Sequence, residues 1–185
     1  MIIACLHALP AQSEDKVQRQ APTPALREAL VAAVNDSEGF DNRFAAEVWL
    51  LDMSTRLAPL IPDEERRLRL LRAVHREARR TDLPPELVLA VIQVESAFKR
   101  YAVSWAGAQG LMQVMPFWVD EIGRPRDNLF DLETNLRYGC TILRHYLDIE
   151  DGDLSRALAR YNGSTGQYWY PTRVQTALEE RWYRR

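Results

Sequence analysis

The feature that most constrains this chain is the spacing of its apolar residues. In the stretch 131–147 they fall at Leu132, Leu136, Cys140, Leu143 and Leu147, always three or four positions apart. Such a spacing forms one face only on a helix. It recurs at Ala46, Leu50, Met53 and Leu57, and at Leu68, Leu71, Val74 and Ala78. It appears again at Leu87, Val91, Val94 and Phe98, at Leu154, Leu158 and Tyr161, and at Val174, Leu178 and Trp182. No segment alternates with period two, so any β structure is expected to be minor. The expected fold class is all-α, a bundle built around the helix 86–98.

Breakers divide the chain. Pro59 and Pro62 end the helix expected over 43–57, and Asp63 caps the next, 64–80. Trp49 and Leu51 make the first of these apolar on more than one side, so it is expected to pack on two faces. The arginines of 64–80 read as a solvated face that could meet an anionic polymer. Asp82 followed by Pro84 and Pro85 marks a further helix start, with Asp82 as the capping side chain. Three units are expected: a leader or disordered N-terminus over 1–24, a helical extension over 25–62 with a short helix at 25–34 and a break at 35–42, and the main domain over 63–185. The restart at Pro59, Pro62 and Asp63 suggests that the main domain could fold alone, although Trp49, Leu50 and Leu51 must bury somewhere.

The first eleven residues look like the tail of a secretory signal without its charged start, which implies export. Ile2-Ile3-Ala4-Cys5 also resembles a bacterial lipoprotein box, in which Cys5 would carry lipid. Cys140, on an apolar stripe, is expected to be a small buried hydrophobe. A formal net charge of −2 gives no footprint for nucleic acid. No apolar run approaches a membrane span in length. His7, His75 and His145 share no ligand spacing, so neither metal nor cofactor is expected. A monomer is favoured, with cell-envelope proteins as possible partners.

Glu95 borders the stripe of the helix 86–98, one turn after Val91 and one turn before Phe98. A carboxylate so placed is either partnered, protonated or reaching water. Three stretches around it read together: Glu95-Ser96-Ala97-Phe98, the run from Ala102 through Ser104, Gly107, Gly110, Leu111, Met112 and Gln113 to Pro116, and Ala159-Arg160-Tyr161-Asn162-Gly163. In order and spacing they resemble the lytic transglycosylases of the goose-lysozyme-like, soluble transglycosylase family. The resemblance covers about half the chain, from roughly 77 to 174.

That resemblance implies a lysozyme-like helical domain cleaving the β-1,4 bond between N-acetylmuramic acid and N-acetylglucosamine in bacterial peptidoglycan, leaving 1,6-anhydromuramyl ends. It implies a periplasmic or cell-envelope location and peptidoglycan glycan strands as substrate. Carried over by residue, Glu95 is the general acid and then base. Ser104 hydrogen-bonds substrate near it, and Gly110, Leu111, Met112 and Gln113 line the cleft that holds the glycan. Tyr161 and Asn162 border that cleft, and Tyr170 is the late tyrosine that reaches back to the centre. Each has a plainer reading: glycines serving turns, Met112 and Tyr161 as core, Asn162 as a left-handed helix cap. Asp120, Glu121, Asp127 and Asp131 are the nearby carboxylates, and none belongs to the shared motif. Two departures stand out: Ser164 replaces a usual glycine, and the stretch from 162 to 170 is short. A hydrolysing muramidase of the same fold and a non-catalytic glycan-binding protein are the alternatives.

Overall fold

The structure is a computed structural model, and it describes residues 43–122, 124 and 126–183. The expected leader, Cys5, the helix at 25–34 and the break at 35–42 lie outside the described residues.

Seven α-helices are described: α1 (Arg43–Leu57), α2 (Glu64–Arg80), α3 (Pro85–Ser96), α4 (Phe117–Ile122), α5 (Leu132–Ile149), α6 (Leu154–Asn162) and α7 (Trp169–Ala177). A π-helical turn, Leu178–Trp182, continues α7. Among the described residues no strand forms. The β pairing among them is limited to two isolated antiparallel bridges, Val103 to Gln109 and Gln109 to Val114. The all-α reading therefore holds.

The helix starts follow local chemistry. The Asp63 carboxylate accepts the Arg66 N–H at 2.7 Å and so caps α2. Asp131 accepts from the N–H groups of Glu133 and Thr134 on α5, and Asp153 from that of Arg156 on α6. Asp82 does not cap α3. It takes a left-handed conformation (φ 52°) in the turn after α2, Pro84 occupies the cap position without a side-chain bond, and Pro85 begins the helix. Asp tolerates that conformation better than most residues, so its signal was a turn and not a cap.

One apolar core runs through all the longer helices. Leu71 of α2, Leu89 and Ile92 of α3, Leu136 and Leu143 of α5, Leu158 of α6 and Trp182 are fully buried in it. So are Leu50, Met53 and Leu57 of α1. Trp49 is buried too. Its indole donates to Glu86 Oε1 on α3 at 2.8 Å, and its ring meets His75 of α2 edge-on, with centroids 5.1 Å apart. Arg56 of α1 donates to the Arg181 carbonyl at 2.6 Å, near the other end of the described chain. The two-faced helix thus packs on two faces because it is part of the main core.

The α2 arginines are not one solvated face. Arg67 is buried and donates to Ser54 Oγ and to the carbonyls of Ile61 and Pro62, which holds the α1–α2 turn. Glu77 is buried, and Arg80 donates to it at 2.7 Å, with Arg76 and Arg137 beside it. A buried carboxylate is tolerated only with such partners. Cys140 is fully buried, and desolvation pushes its thiol well above the ordinary range. It is an inert part of the core.

Candidate active site

Glu95 stands on the last turn of α3, half-buried. The chain then turns sharply. Ala97 (φ 49°) and Phe98 (φ 63°) are both left-handed, a conformation that costs an Ala or Phe roughly 1 kcal/mol or more. The surroundings enforce it. Ser96 donates from its hydroxyl to the Leu111 carbonyl at 2.8 Å, and Phe98 packs edge-on against Trp182, with centroids 5.7 Å apart. This turn brings the chain back beneath the end of α3 and lets the 102–115 segment pack against it.

Tyr170 of α7 reaches Glu95 from 75 residues along the chain. Its hydroxyl donates to Glu95 Oε1 at 2.6 Å. Burial raises the Glu95 pKa from an ordinary 4.5 to about 7. The Tyr170 hydrogen bond, the Arg173 charge and the Asn162 side chain, in that order, pull it down without cancelling the rise. Desolvation therefore wins, and a substantial share of Glu95 is protonated near neutral pH. Tyr170 and Tyr161 are themselves held well above their usual range, first by burial and then by the Glu95 charge. Both remain hydroxyl donors.

Tyr161, on α6, is partly buried with its hydroxyl turned inward, donating to the Met112 carbonyl at 2.7 Å. Asn162 is the last helical residue of α6. The left-handed cap is Gly163 (φ 78°), so the cap reading of Asn162 is corrected, and its side chain is one of the groups acting on Glu95. Ser164, standing where a glycine was expected, is buried, and its N–H closes the α6 end on the Ala159 carbonyl at 2.8 Å.

The 102–115 segment is a wall. The Ser104 hydroxyl accepts the Ala108 N–H at 3.0 Å and closes a tight turn. The left-handed Gln113 (φ 50°) donates from its amide to the carbonyls of Gly110 and Ala102. Gly110 has no space for a side chain. A Cβ there would lie 2.3 Å from Asn135 Nδ2 and 2.5 Å from the Leu129 carbonyl. Leu111 and Met112 are buried, and Met112 lies against Gly139 of α5, where a Cβ would meet its sulfur at 2.4 Å. Their side chains face the core. What residues 110–113 can offer a ligand is therefore backbone and the half-buried Gln113 side chain.

Sequence reasoning gave no individual role to three residues. Asn135 of α5, almost fully buried, accepts the Met112 N–H at 2.8 Å and donates to the carbonyls of Leu129 and Gln109. It ties the wall to the core, and a polar residue beside the Leu132–Leu136 stripe was its only sequence signal. Ser96 anchors the wall to α3. Arg173 lies three residues after Tyr170, so it shares that face of α7. Among the described residues no three His, Cys, Asp or Glu side chains gather as metal ligands would, and no helix is long and apolar enough to cross a membrane.

Comparison with known proteins bears on the same residues. The family model described as the transglycosylase SLT domain matches residues 72–182, more than half of the chain. A transglycosylase of Enterobacteria phage PRD1 is 40% identical over 86 residues, covering 46% of this chain and 31% of the phage protein. Membrane-bound lytic murein transglycosylase C of Yersinia pestis (strain Pestoides F) is 33% identical over 125 residues, covering 58% of this chain and 35% of that protein. The chain thus spans about a third of the length of these curated relatives. The crystal structure of the 70 kDa soluble lytic transglycosylase of Escherichia coli aligns with a TM-score of 0.47 and 21% identity, covering 83% of this chain and 27% of that one. With the match from 72 to 182 spanning the Glu95 helix, the wall and both tyrosines, this chain belongs to the transglycosylase SLT domain family.

Proposed function

We propose that this protein is a peptidoglycan lytic transglycosylase that cleaves the β-1,4 bond between N-acetylmuramic acid and N-acetylglucosamine and leaves a 1,6-anhydromuramyl end. The observation that carries the reading is Glu95: a half-buried carboxyl raised to about 7, hydrogen-bonded by Tyr170 and without a carboxylate among the groups that perturb it. Asp127 accepts the Tyr138 hydroxyl at 2.6 Å, and Asp131 caps α5 and pairs with Arg100. Both are committed elsewhere. Most glycosidases need two carboxyl groups, so a one-carboxyl site favours a route in which the substrate supplies the second function.

In that route the protonated Glu95 gives its proton to the glycosidic oxygen as the C1–O bond breaks. The substrate's N-acetyl oxygen stabilises the anomeric centre. The C6 hydroxyl then attacks C1, and the same Glu95, now a carboxylate, takes its proton. The acid form is restored, and no water is consumed. Tyr170 holds Oε1 throughout, and Arg173 stabilises the charged stage more than the neutral one. Asn162 supplies a further polar contact. Ser104 and Gln113 border the glycan, with Gly110, Leu111 and Met112 setting the backbone behind it and Tyr161 bracing Met112. The names of the relatives support a place at the cell envelope, and residues 63–185 are proposed as the catalytic domain.

The test is mass spectrometry of sacculi digested by the full chain. Muropeptides lighter by one water than the hydrolysed species are expected, and Glu95→Gln should abolish them while leaving a folded protein. General acid–base groups contribute about 10²- to 10⁴-fold. Hydrolysed ends in place of anhydro ends would mean that water is the nucleophile. Full activity of folded Glu95→Gln would overturn the assignment.

A further inference from the structure

The helix that closes the described chain grips α3 at two points. Tyr170, near the start of α7, donates to the Glu95 carboxyl. Trp182, at the end of the π-helical turn, is fully buried. Its indole donates to Gln93 Oε1 at 2.9 Å, and its ring meets Phe98 edge-on. Gln93 lies two residues before Glu95 and Phe98 three after it. One continuous element thus holds the acid at its own oxygen and on both flanks.

The π turn makes this grip possible. Tyr170 and Trp182 are 12 residues apart. On an uninterrupted α-helix, at about 100° per residue, that separation sets two side chains about 120° apart. The turn Leu178–Trp182, closed by the Tyr183 N–H on the Leu178 carbonyl, bonds five residues apart instead of four and so absorbs one extra position. Trp182 then lies about 20° from Tyr170, on the face that packs against α3. Such a turn is rare, and the carbonyls at a helix C-terminus lack intrahelical partners. Arg56 of α1 supplies them. Its Nη1 donates to the carbonyls of Arg181, at 2.6 Å, and Tyr183, at 3.2 Å. Its Nε and Nη2 donate to the two oxygens of Asp52, one turn back on α1, at 2.8 and 3.0 Å, which fixes the plane of the guanidinium.

Arg56 lies before residue 72, where the match to the transglycosylase SLT domain begins, and Trp182 is the last residue of that match. On the proposed function, from which this step starts, Glu95 must meet first the glycosidic oxygen and then the C6 hydroxyl. A displacement of about 1 Å at such a group costs about 10²-fold in rate. We propose that Arg56 and Trp182 are positioning residues for Glu95. Arg56 holds the π turn, the turn seats Trp182 on Gln93 and Phe98, and those contacts keep the acid in register with Tyr170. Helix α1, outside the matched stretch, then serves the reaction as well as the core.

The experiment measures kcat and KM of the full chain on a soluble peptidoglycan tetrasaccharide, from the release of anhydro product, well below the lowest melting temperature of the set. Arg56→Met keeps the apolar stem and loses the donors. Gln93→Met releases the Trp182 indole. Each should lower kcat about tenfold with KM within about twofold of wild type. The double variant should fall no further than the worse single, because both changes cut one series of contacts. Wild-type kcat in Arg56→Met overturns the proposal, as do a rise in KM alone and a double variant in which the two losses multiply. If Gln93→Met fails to fold, Arg56→Met, at the partly exposed end of the series, decides by itself. An active wild type with an unaffected Arg56→Met overturns this step alone, whereas a wild type that releases no anhydro product overturns the proposed function and this step with it.

Discussion

At the scale of single residues, the behaviour of Glu95 is a contest between solvation and hydrogen bonding. Desolvation outweighs the combined pull of Tyr170, Arg173 and Asn162, so the pKa rises to about 7. Tyr170→Phe removes the largest lowering influence. The alkaline limb of the pH–rate profile should then move to higher pH, and kcat should fall about tenfold through lost orientation. A limb unmoved in Tyr170→Phe would mean that the hydrogen bond plays no part in setting the acid. The raised pKa also has a stability sign. Below about 4.5 Glu95 is neutral whether the chain is folded or not, and its contribution is intact. As pH rises from there through about 7, the unfolded chain releases the proton first and stability is lost. Glu95→Gln resembles the neutral acid and keeps an oxygen for Tyr170. It should melt like wild type near pH 4.5 and higher by a few degrees at pH 8, from about 1–2 kcal/mol after discounting for the solvent Glu95 still meets. Paired melting curves at the two pH values check this, and a lower melting temperature at pH 8 would make Glu95 a structurally partnered carboxylate.

At the scale of elements, the wall from 102 to 115 is held by polar side chains and close approach more than by apolar periodicity. Asn135, Ser96 and the amide of Gln113 fasten its backbone, and Gly110 fits where no other residue could. Gly110 is left-handed (φ 78°), and an added Cβ would meet the Leu129 carbonyl, which is backbone and cannot swing away. Gly110→Ala should cost about 2–4 kcal/mol and lower the melting temperature accordingly. Activity should fall further than stability alone explains, since Gln113 rides on the Gly110 carbonyl. A variant with unchanged melting temperature would show that the loop relaxes at no cost. The left-handed Ala97 and Phe98 belong to the same element-level design: strain beside Glu95, supported by the Ser96 and Trp182 contacts on either side.

At the scale of the molecule, α1 is integral to the core. The restart at Pro59, Pro62 and Asp63 is real as local structure, yet Leu50, Met53 and Leu57 are fully buried and Trp49 bridges to α2 and α3. Deleting residues 1–62 would expose those partners. Four or five large side chains at about 2 kcal/mol each approach the whole stability of a typical domain. The truncated chain should therefore be insoluble, or keep helical far-UV circular dichroism without a cooperative melt. A sharp thermal transition close to that of the full chain would show that 63–185 holds its own core.

Sequence alone determined the helices and singled out Glu95 as the candidate acid. The three-and-four spacing is local physics, and it marked α1, α2, α5 and α6 to within two residues because helical hydrogen bonds and capping groups are near neighbours in the chain. Glu95 was legible because it borders a stripe and opens a run of ordered motif residues. What the tertiary structure alone decided are the relations across distance. Tyr170 meets Glu95 from 75 residues away, Asn135 holds a loop 23 residues before it, and Arg56 reaches the carbonyl of Arg181. Asp82 was misread as a cap, and the plainer cap reading of Asn162 passes to Gly163, because Asp and Asn suit both caps and turns and only the path of the chain chooses between them. Burial made the same distinction for the arginines of α2. A row of like charges reads as solvated until packing encloses Arg67 and Glu77, and leaves Arg66 and Arg69 at the mouth of a cavity.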